Sequence, residues 1–263
     1  MITSSRSQAY VLTVLFLLTF VSTAVAKYSG GTGEPNDPYQ IATAADLIAL
    51  GETPDDYDKH FILTADIDLD PNLPGGRVFD GAIIAPDTDP EQWGFQGTPF
   101  AGVFHGNGRT ISRLTIAWGM YVGLFGQMRD GASIRNLGLD GVEVSGHWYV
   151  GGLVGHNDGG RITSSYSSGS VNGNECVGGL TGRNGGSIAV SYSNGSVSGY
   201  ESVGGLVGIC DGGSVSASCS SGSVIHIGFL STIKILSPDR NIRASQNPAA
   251  FRFSSAAAVC FAA

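Results

Sequence analysis

The apolar positions of this chain recur in blocks set apart by glycine, and the blocks repeat. Four copies of one block stand out: Tyr121-Val-Gly-Leu-Phe-Gly126, Tyr149-Val-Gly-Gly-Leu-Val-Gly155, Cys176-Val-Gly-Gly-Leu-Thr-Gly182 and Ser202-Val-Gly-Gly-Leu-Val-Gly208. Their leucines, Leu124, Leu153, Leu180 and Leu206, lie 29, 27 and 26 residues apart. A second block follows in the last three copies: Gly160-Arg-Ile-Thr-Ser-Ser-Tyr166, Gly186-Ser-Ile-Ala-Val-Ser-Tyr192 and Gly213-Ser-Val-Ser-Ala-Ser-Cys219. Gly169-Ser-Val171, Gly195-Ser-Val197 and Gly222-Ser-Val224 close the units, always nine residues after Ile162, Ile188 and Val215. A fixed step of this kind marks a coil of stacked units.

Within the second block apolar and polar residues alternate with period two, which predicts strands with one buried face. One parity carries Ile162, Ser164 and Tyr166, then Ile188, Val190 and Tyr192, then Val215, Ala217 and Cys219. This parity is expected to face inward, with Tyr166 and Tyr192 forming a core ladder. The leucines are also placed inward, flanked by Gly151, Gly152, Gly178, Gly179, Gly204 and Gly205, which permit a tight corner or close approach of stacked backbones. Val154 is matched by Thr181, so that position tolerates polarity. Upstream, Ile111, Leu114 and Ile116 share the spacing of Ile134, Leu137 and Leu139. The leading ladder then reads Ile111, Ile134, Ile162, Ile188, Val215, about five turns.

One such unit is too short to bury its own apolar face, whereas stacked units bury a continuous core. The predicted fold is all-β: a parallel β-helix (β-solenoid). The Val, Ile, Ser, Thr and Gly of the repeat are poor helix formers, which excludes a helical solenoid. Propeller blades need longer repeats, and leucine-rich repeats a different Leu and Asn spacing.

Residues 42–51 read as a short helix at the N-terminal end, with Thr43 as its cap, Asp46 near the third position and Leu47 and Leu50 on one face. The first coil begins at Phe61-Ile-Leu-Thr-Ala-Asp-Ile-Asp-Leu69, and residues 70–99, rich in Pro, Asp and Gly, read as a loop excursion. After Val224 the repeat stops with no recognisable cap. The last stretch is either a weakly helical or disordered tail or the mark of truncation.

The first 26 residues carry Arg6 as their only charge, an apolar run from Tyr10 to Val21, and Ala24-Val25-Ala26, a small-x-small cleavage pattern. They read as an export signal, with an uncleaved anchor as the alternative and no further membrane span after cleavage. The chain thus divides into an export segment at 1–26, an N-terminal cap and first coil with its excursion at 27–99, the coil repeats at 100–224, and a non-repeat tail at 225–263. Export permits disulfides, but Cys176, Cys210, Cys219 and Cys260 show no framework spacing.

Charge is sparse and uneven. Residues 27–100 hold 14 Asp or Glu against Lys27, Lys59 and Arg77, a net of −11, while residues 101–236 hold seven of each sign. Such a surface cannot neutralise phosphates, which excludes nucleic acid as a partner.

Candidate chemistry is thin. There is no His-Glu-x-x-His, no Gly-x-Ser-x-Gly in a strand–turn–helix setting, and no ligand spacing among His60, His105, His147, His156 and His226. No catalytic or cofactor-binding residue is assigned. Asp66, Asp68 and Asp70 form a weak Ca²⁺ candidate, against a plain solvated strand face, because the glycine and the closing glutamate of a calcium loop are missing. Glu175 and Glu201 occupy equivalent positions in adjacent coils, about 5 Å apart when stacked. They are the only pair resembling a glycosidase or lyase site. Trp148, Tyr149 and Tyr200 fall near corners, where exposed aromatics bind sugar faces or proteins.

The Val-Gly-Gly-Leu-Val-Gly copies resemble the GLUG repeat of bacterial surface and secreted proteins. The lead-in Tyr28-Ser-Gly-Gly-Thr-Gly-Glu-Pro-Asn-Asp-Pro-Tyr39 and Phe100-Ala-Gly-Val-Phe-His-Gly-Asn-Gly-Arg-Thr-Ile111 are similar to the regions preceding such repeats. The resemblance covers roughly residues 28–224. It implies a right-handed β-helix in exported, often adhesin-like proteins, and it attaches no catalytic residue to the repeat. The expected function is an exported, non-catalytic structural or adhesive module, secreted or at the cell surface, meeting extracellular carbohydrate or protein. The alternatives are a carbohydrate-active enzyme on the same fold and a truncated piece of a larger surface protein.

Overall fold

A computed structural model describes residues 27–227 together with the backbone of 251–253 and 259–261; residues 1–26, where the sequence predicts an export signal, lie outside the described residues. The chain winds into a parallel β-solenoid whose coils have four straight faces. Face A stacks Tyr39–Ile41, His60–Leu63, Val103–His105, Ser133–Arg135, Arg161–Thr163, Ser187–Ala189 and Ser214–Ser216. Face B stacks Ile67–Asp68, Thr110–Ser112, Gly138–Ser145, Tyr166–Asn172, Tyr192–Gly199 and Ser218–His226. Face C holds Trp148–Gly151, Glu175–Gly178 and Glu201–Gly204, and face D holds Phe125–Met128, Val154–Asn157, Thr181–Asn184 and Val207–Cys210. The strands within each face pair in parallel, coil on coil.

Like residues stack on like. On face A, Phe61, Phe104, Ile134, Ile162, Ile188 and Val215 are successive partners. Those from Phe61 to Ile188 are buried. Full burial of such a side chain contributes roughly 1.5–3 kcal/mol. Leu124, Leu153, Leu180 and Leu206 are likewise buried, as their spacing predicts.

The upstream end of the predicted ladder is corrected. Ile111 is not the partner of Ile134. It lies between Ile67 and Leu139 on face B, and Phe104 takes the face A place. The excursion at 70–99 supplies part of a coil, with Phe79 bridging to Ile116 and Ile84 to Phe125, so the coil step is irregular there. The shared spacing of Ile111 and Ile134 aligned residues from two different faces.

The predicted inward parity is also corrected. Ser164, Val190 and Ala217 take left-handed backbone, with φ of 49°, 53° and 44°. A left-handed residue turns the chain from face A to face B and breaks the alternation. Ile162 points inward, Ser164 outward, then Ser165 and Ser167 inward. Val190 is 60% exposed as a result. Tyr166 and Tyr192 do stack, with ring centroids 4.9 Å apart and planes 7° from parallel. They do so on the outer face: Tyr192 is exposed and Tyr166 half-buried.

Serine replaces strand pairing at this corner. The Ser165 N–H donates to Ser191 Oγ at 3.3 Å, and the Ser191 N–H to Ser218 Oγ at 3.1 Å. Each hydroxyl donates in turn to the carbonyl two residues before it, on Thr163, Ala189 and Ser216. The ladder satisfies buried amides that the bend has removed from the sheet.

The N-terminal helix, Ala44–Gly51, forms with the predicted cap. Thr43 Oγ1 accepts from the Asp46 N–H at 3.1 Å, and Asp46 accepts back from the Thr43 N–H at 3.0 Å. Burial pushes the Asp46 carboxyl up, but hydrogen bonds from Ser29, Ala42 and Thr43 outweigh it and hold the group below its ordinary value. Leu47 and Leu50 are buried in the core. At the other end face B continues to His226. Phe251–Phe253 and Val259–Phe261 pair antiparallel with this last strand, a covering of the terminal edge that the repeat pattern does not foreshadow.

Candidate functional site

The corner between faces B and C gathers the tryptophans. Left-handed backbone at Tyr121, Tyr149, Cys176 and Ser202, with φ of 53°, 53°, 53° and 52°, interrupts the strand and turns these side chains from their neighbours. The His147 N–H donates to Gly119 O at 2.8 Å and the Tyr121 N–H to Trp148 O at 2.9 Å, so residues 118–121 stack on 147–149. Trp118 packs edge-on against His147 at 5.1 Å. Trp93, reaching in from the excursion, meets Trp148 at 4.9 Å with planes 75° apart. Trp93 is 78% exposed and Trp118 52%. The stripe continues up the solenoid. Asn174 Nδ2 lies 3.1 Å from His147 Nδ1, and exposed Tyr200 follows on the next coil, its N–H donating to Asn174 O at 2.9 Å.

Trp118 also borders an open cleft of about 440 Å³ between the N-terminal helix and the excursion, with Glu52, Arg77, Asp80, Asp87 and Thr88 in its walls. Arg77 lies over the Phe79 ring at 4.8 Å.

Around the corner a second group covers the outside of face D. Tyr121 and Tyr149 are 4.9 Å apart, His156 stacks on Tyr149 at 5.5 Å, and Arg183 lies 5.7 Å from the Tyr149 ring while pairing with Asp211. Phe95 closes on Tyr121 at 5.2 Å. Burial, then the Arg183 guanidinium, lowers the His156 imidazole to about 4. Burial, then Tyr149 and Asp87, pushes the Tyr121 phenol up to about 12. His156 Nδ1 and Gln127 Oε1 are buried without a partner. The sequence points to Tyr149 but not to His156 and Arg183, which fall in the variable slot of the repeat.

The candidate carboxylate pair lies at this corner. Glu175 stacks directly on Glu201, as expected. Glu201 is exposed and Glu175 half-buried. Burial, then Glu175, pushes the neighbouring Cys176 thiol up to about 11, which suppresses the thiolate a nucleophile requires.

The aspartate stripe is engaged by arginine. Arg113 pairs with Asp68 and, at 3.3 Å, with Asp70. Asp66 accepts from the Thr110 N–H at 2.9 Å and lies 3.9 Å from Arg109. Guanidinium groups supply the positive charge around these carboxylates. Among the described residues no group of three or more His, Cys, Asp or Glu is placed to hold a metal ion, and no helix is long and apolar enough to cross a membrane.

The unit that builds this corner, from Gly146 through the glycine pair and the serine bend to face B, coincides with a known sequence motif. Residues 146–172 match the family model described as the GLUG motif. The chain carries a GLUG motif. Halomucin of Haloquadratum walsbyi is 35% identical over 166 residues, which take in 61% of this chain and 2% of that protein. A protein of Evansella cellulosilytica described as a Gly-rich membrane protein is 37% identical over 142 residues, 50% of this chain and 15% of its own length. The chain therefore spans a small part of either relative. A crystal structure described as an immunoglobulin A1 protease from Bacteroides ovatus superposes with a TM-score of 0.52 at 19% identity, covering 77% of this chain and 71% of the other. That likeness concerns the fold alone. Of the two relatives, the Evansella protein is described as a membrane protein.

Proposed function

We propose that this chain is an exported, non-catalytic β-solenoid module that binds an extracellular partner at a bacterial cell surface or in the surrounding medium. The observation that carries the reading is the aromatic stripe. Trp93, Trp118 and Tyr200 stay exposed on one corner of a fold whose other large apolar side chains are mostly buried. Exposed aromatic surface of this kind marks interaction sites. The relatives' names and the export segment support an extracellular setting, and the acidic surface disfavours nucleic acid.

The test uses the full chain with its export segment. Protease added to intact cells or assay of the medium should find the protein outside the membrane. Cells displaying it should be retained on polysaccharide-coated or protein-coated surfaces, and polysaccharides incubated with it should release no new reducing or unsaturated ends. Retention in the cytoplasm, or no retention on either coating, contradicts the proposal. A second reading, a carbohydrate-active enzyme, is favoured by the stacking of Glu175 on Glu201. Sustained release of ends, lost in Glu175→Ala or Glu201→Ala, would establish it.

A further inference from the structure

We infer that the tryptophan corner is a binding site for a neutral polysaccharide, with Trp118 and Trp93 as its stacking platforms. The inference rests on the extracellular binding reading above and names the ligand class.

Three observations converge. First, the chain has three tryptophans, and all three stand together: Trp93 against Trp148, and Trp118 against His147, the residue before Trp148. The apolar face of a pyranose ring stacks on an exposed indole, while its hydroxyls need polar partners at the ring edge. Second, those partners are present. His147 and Asn174 lie beside the indoles, Glu175 stacks on Trp148, and the cleft bordered by Trp118 holds Asp80, Asp87 and Thr88. Third, the charge selects the sugar. The cleft bordered by Trp118 carries Glu52, Asp80 and Asp87 against Arg77 alone. Uronic-acid and sulfated polymers are repelled, whereas carboxylates accept hydrogen bonds from neutral hexose hydroxyls. The alternation of rings with His147, Asn174 and Glu175 also departs from the dry apolar centre of a stable protein interface. Successive coils present these groups at intervals of about 4.8 Å, close to the length of one sugar ring.

All tryptophan emission arises from this corner, so intrinsic fluorescence reads the site directly. The full chain is titrated with a linear β-glucan, a mannan and dextran, and with polygalacturonate as the acidic comparison. The expected result is a shift of emission with at least one neutral polymer, unchanged by added salt, and a Kd raised about ten-fold or more in Trp118→Ala and in Trp93→Ala. Both side chains are largely exposed, so the variants should keep the parent's thermal transition. No shift with any neutral polymer, equal affinity in the variants, or a preference for polygalacturonate overturns the inference. Cell retention separates it from the broader reading. Retention on protein coatings alone, unchanged by Trp118→Ala, removes the glycan site and leaves extracellular binding standing. Retention on neither coating removes both.

Discussion

Asn157 donates to Asn184 inside the core, Nδ2 to Oδ1 at 2.8 Å, with both side chains fully buried. They continue a face D column that begins with Phe100 and Met128 and ends with Cys210. Each also holds its own turn, Asn157 through Gly160 O at 3.0 Å and Asn184 through Gly186 O at 3.2 Å. Asn184→Leu removes the acceptor of the Asn157 amide and frees a turn carbonyl. It should lower stability by about 2 kcal/mol in urea unfolding. The doubly substituted chain should lose less than the sum of the two single changes, by roughly 0.5–1 kcal/mol. Strict additivity would show that the pair is not coupled.

The glycine pair of the repeat is held by contact with serine. A Cβ on Gly205 would stand 2.0 Å from Ser220 Oγ, and one on Gly179 would stand 2.0 Å from Ser193 Oγ and 2.3 Å from Gly205 O. Gly205→Ala should therefore destabilise, and Ser220→Gly in the same chain should recover much of the loss. Gly179→Ala should resist rescue by Ser193→Gly, because a backbone carbonyl still blocks the methyl. Thermal unfolding of the four variants distinguishes the cases, and equal rescue at both positions would refute the steric account.

Val190 combines a φ of 53° with 60% exposure. A β-branched residue in the left-handed region is strained and here gains little from packing. Val190→Gly, or Val190→Asn, should raise stability by about 1 kcal/mol. A lowered thermal midpoint for both variants would show that the valine contributes more than its conformation costs.

His156 makes stability depend on acidity. Its folded value near 4 lies below the ordinary value of 6.5, so the unfolded chain binds the proton more readily. The contribution is complete above about 6.5, falls as pH drops through that window, and is lost below about 4. With partial exposure discounted, the loss should be on the order of 1–2 kcal/mol. His156→Gln should flatten the stability profile between pH 6.5 and pH 4 and leave the steeper decline at lower pH, where Asp46 releases its cap. An unchanged slope in the variant would assign the effect to another group.

Much of the coil was legible because Gly-Gly-Leu marks the same corner in every turn, and Leu153, Leu180 and Leu206 could be placed inward without knowing the faces. The capping box at Thr43 and Asp46 was equally plain, since it is local. The departures share a cause. Period-two alternation assumes a continuous strand, and a left-handed residue at Ser164 or Val190 carries no compositional mark, so the alternation loses phase there and puts Tyr166 and Tyr192 inside. The place of Ile111 is hidden because its coil is completed by the 70–99 excursion, which has no repeat spacing. The asparagine pair hid as turn residues before Gly-Gly. The tryptophan corner was half visible: Trp148 and Tyr149 sit in the repeat, but Trp93 joins them only through the folding back of the excursion.

The inner column of face B changes character along the axis. It passes from Ile67, Ile111 and Leu139 to Ser167, Ser193 and Ser220. This column is thus hydrocarbon in the early coils and hydroxyl-bearing in the later ones. Under tension such a rod should yield first at the serine end, where this column buries the least hydrocarbon.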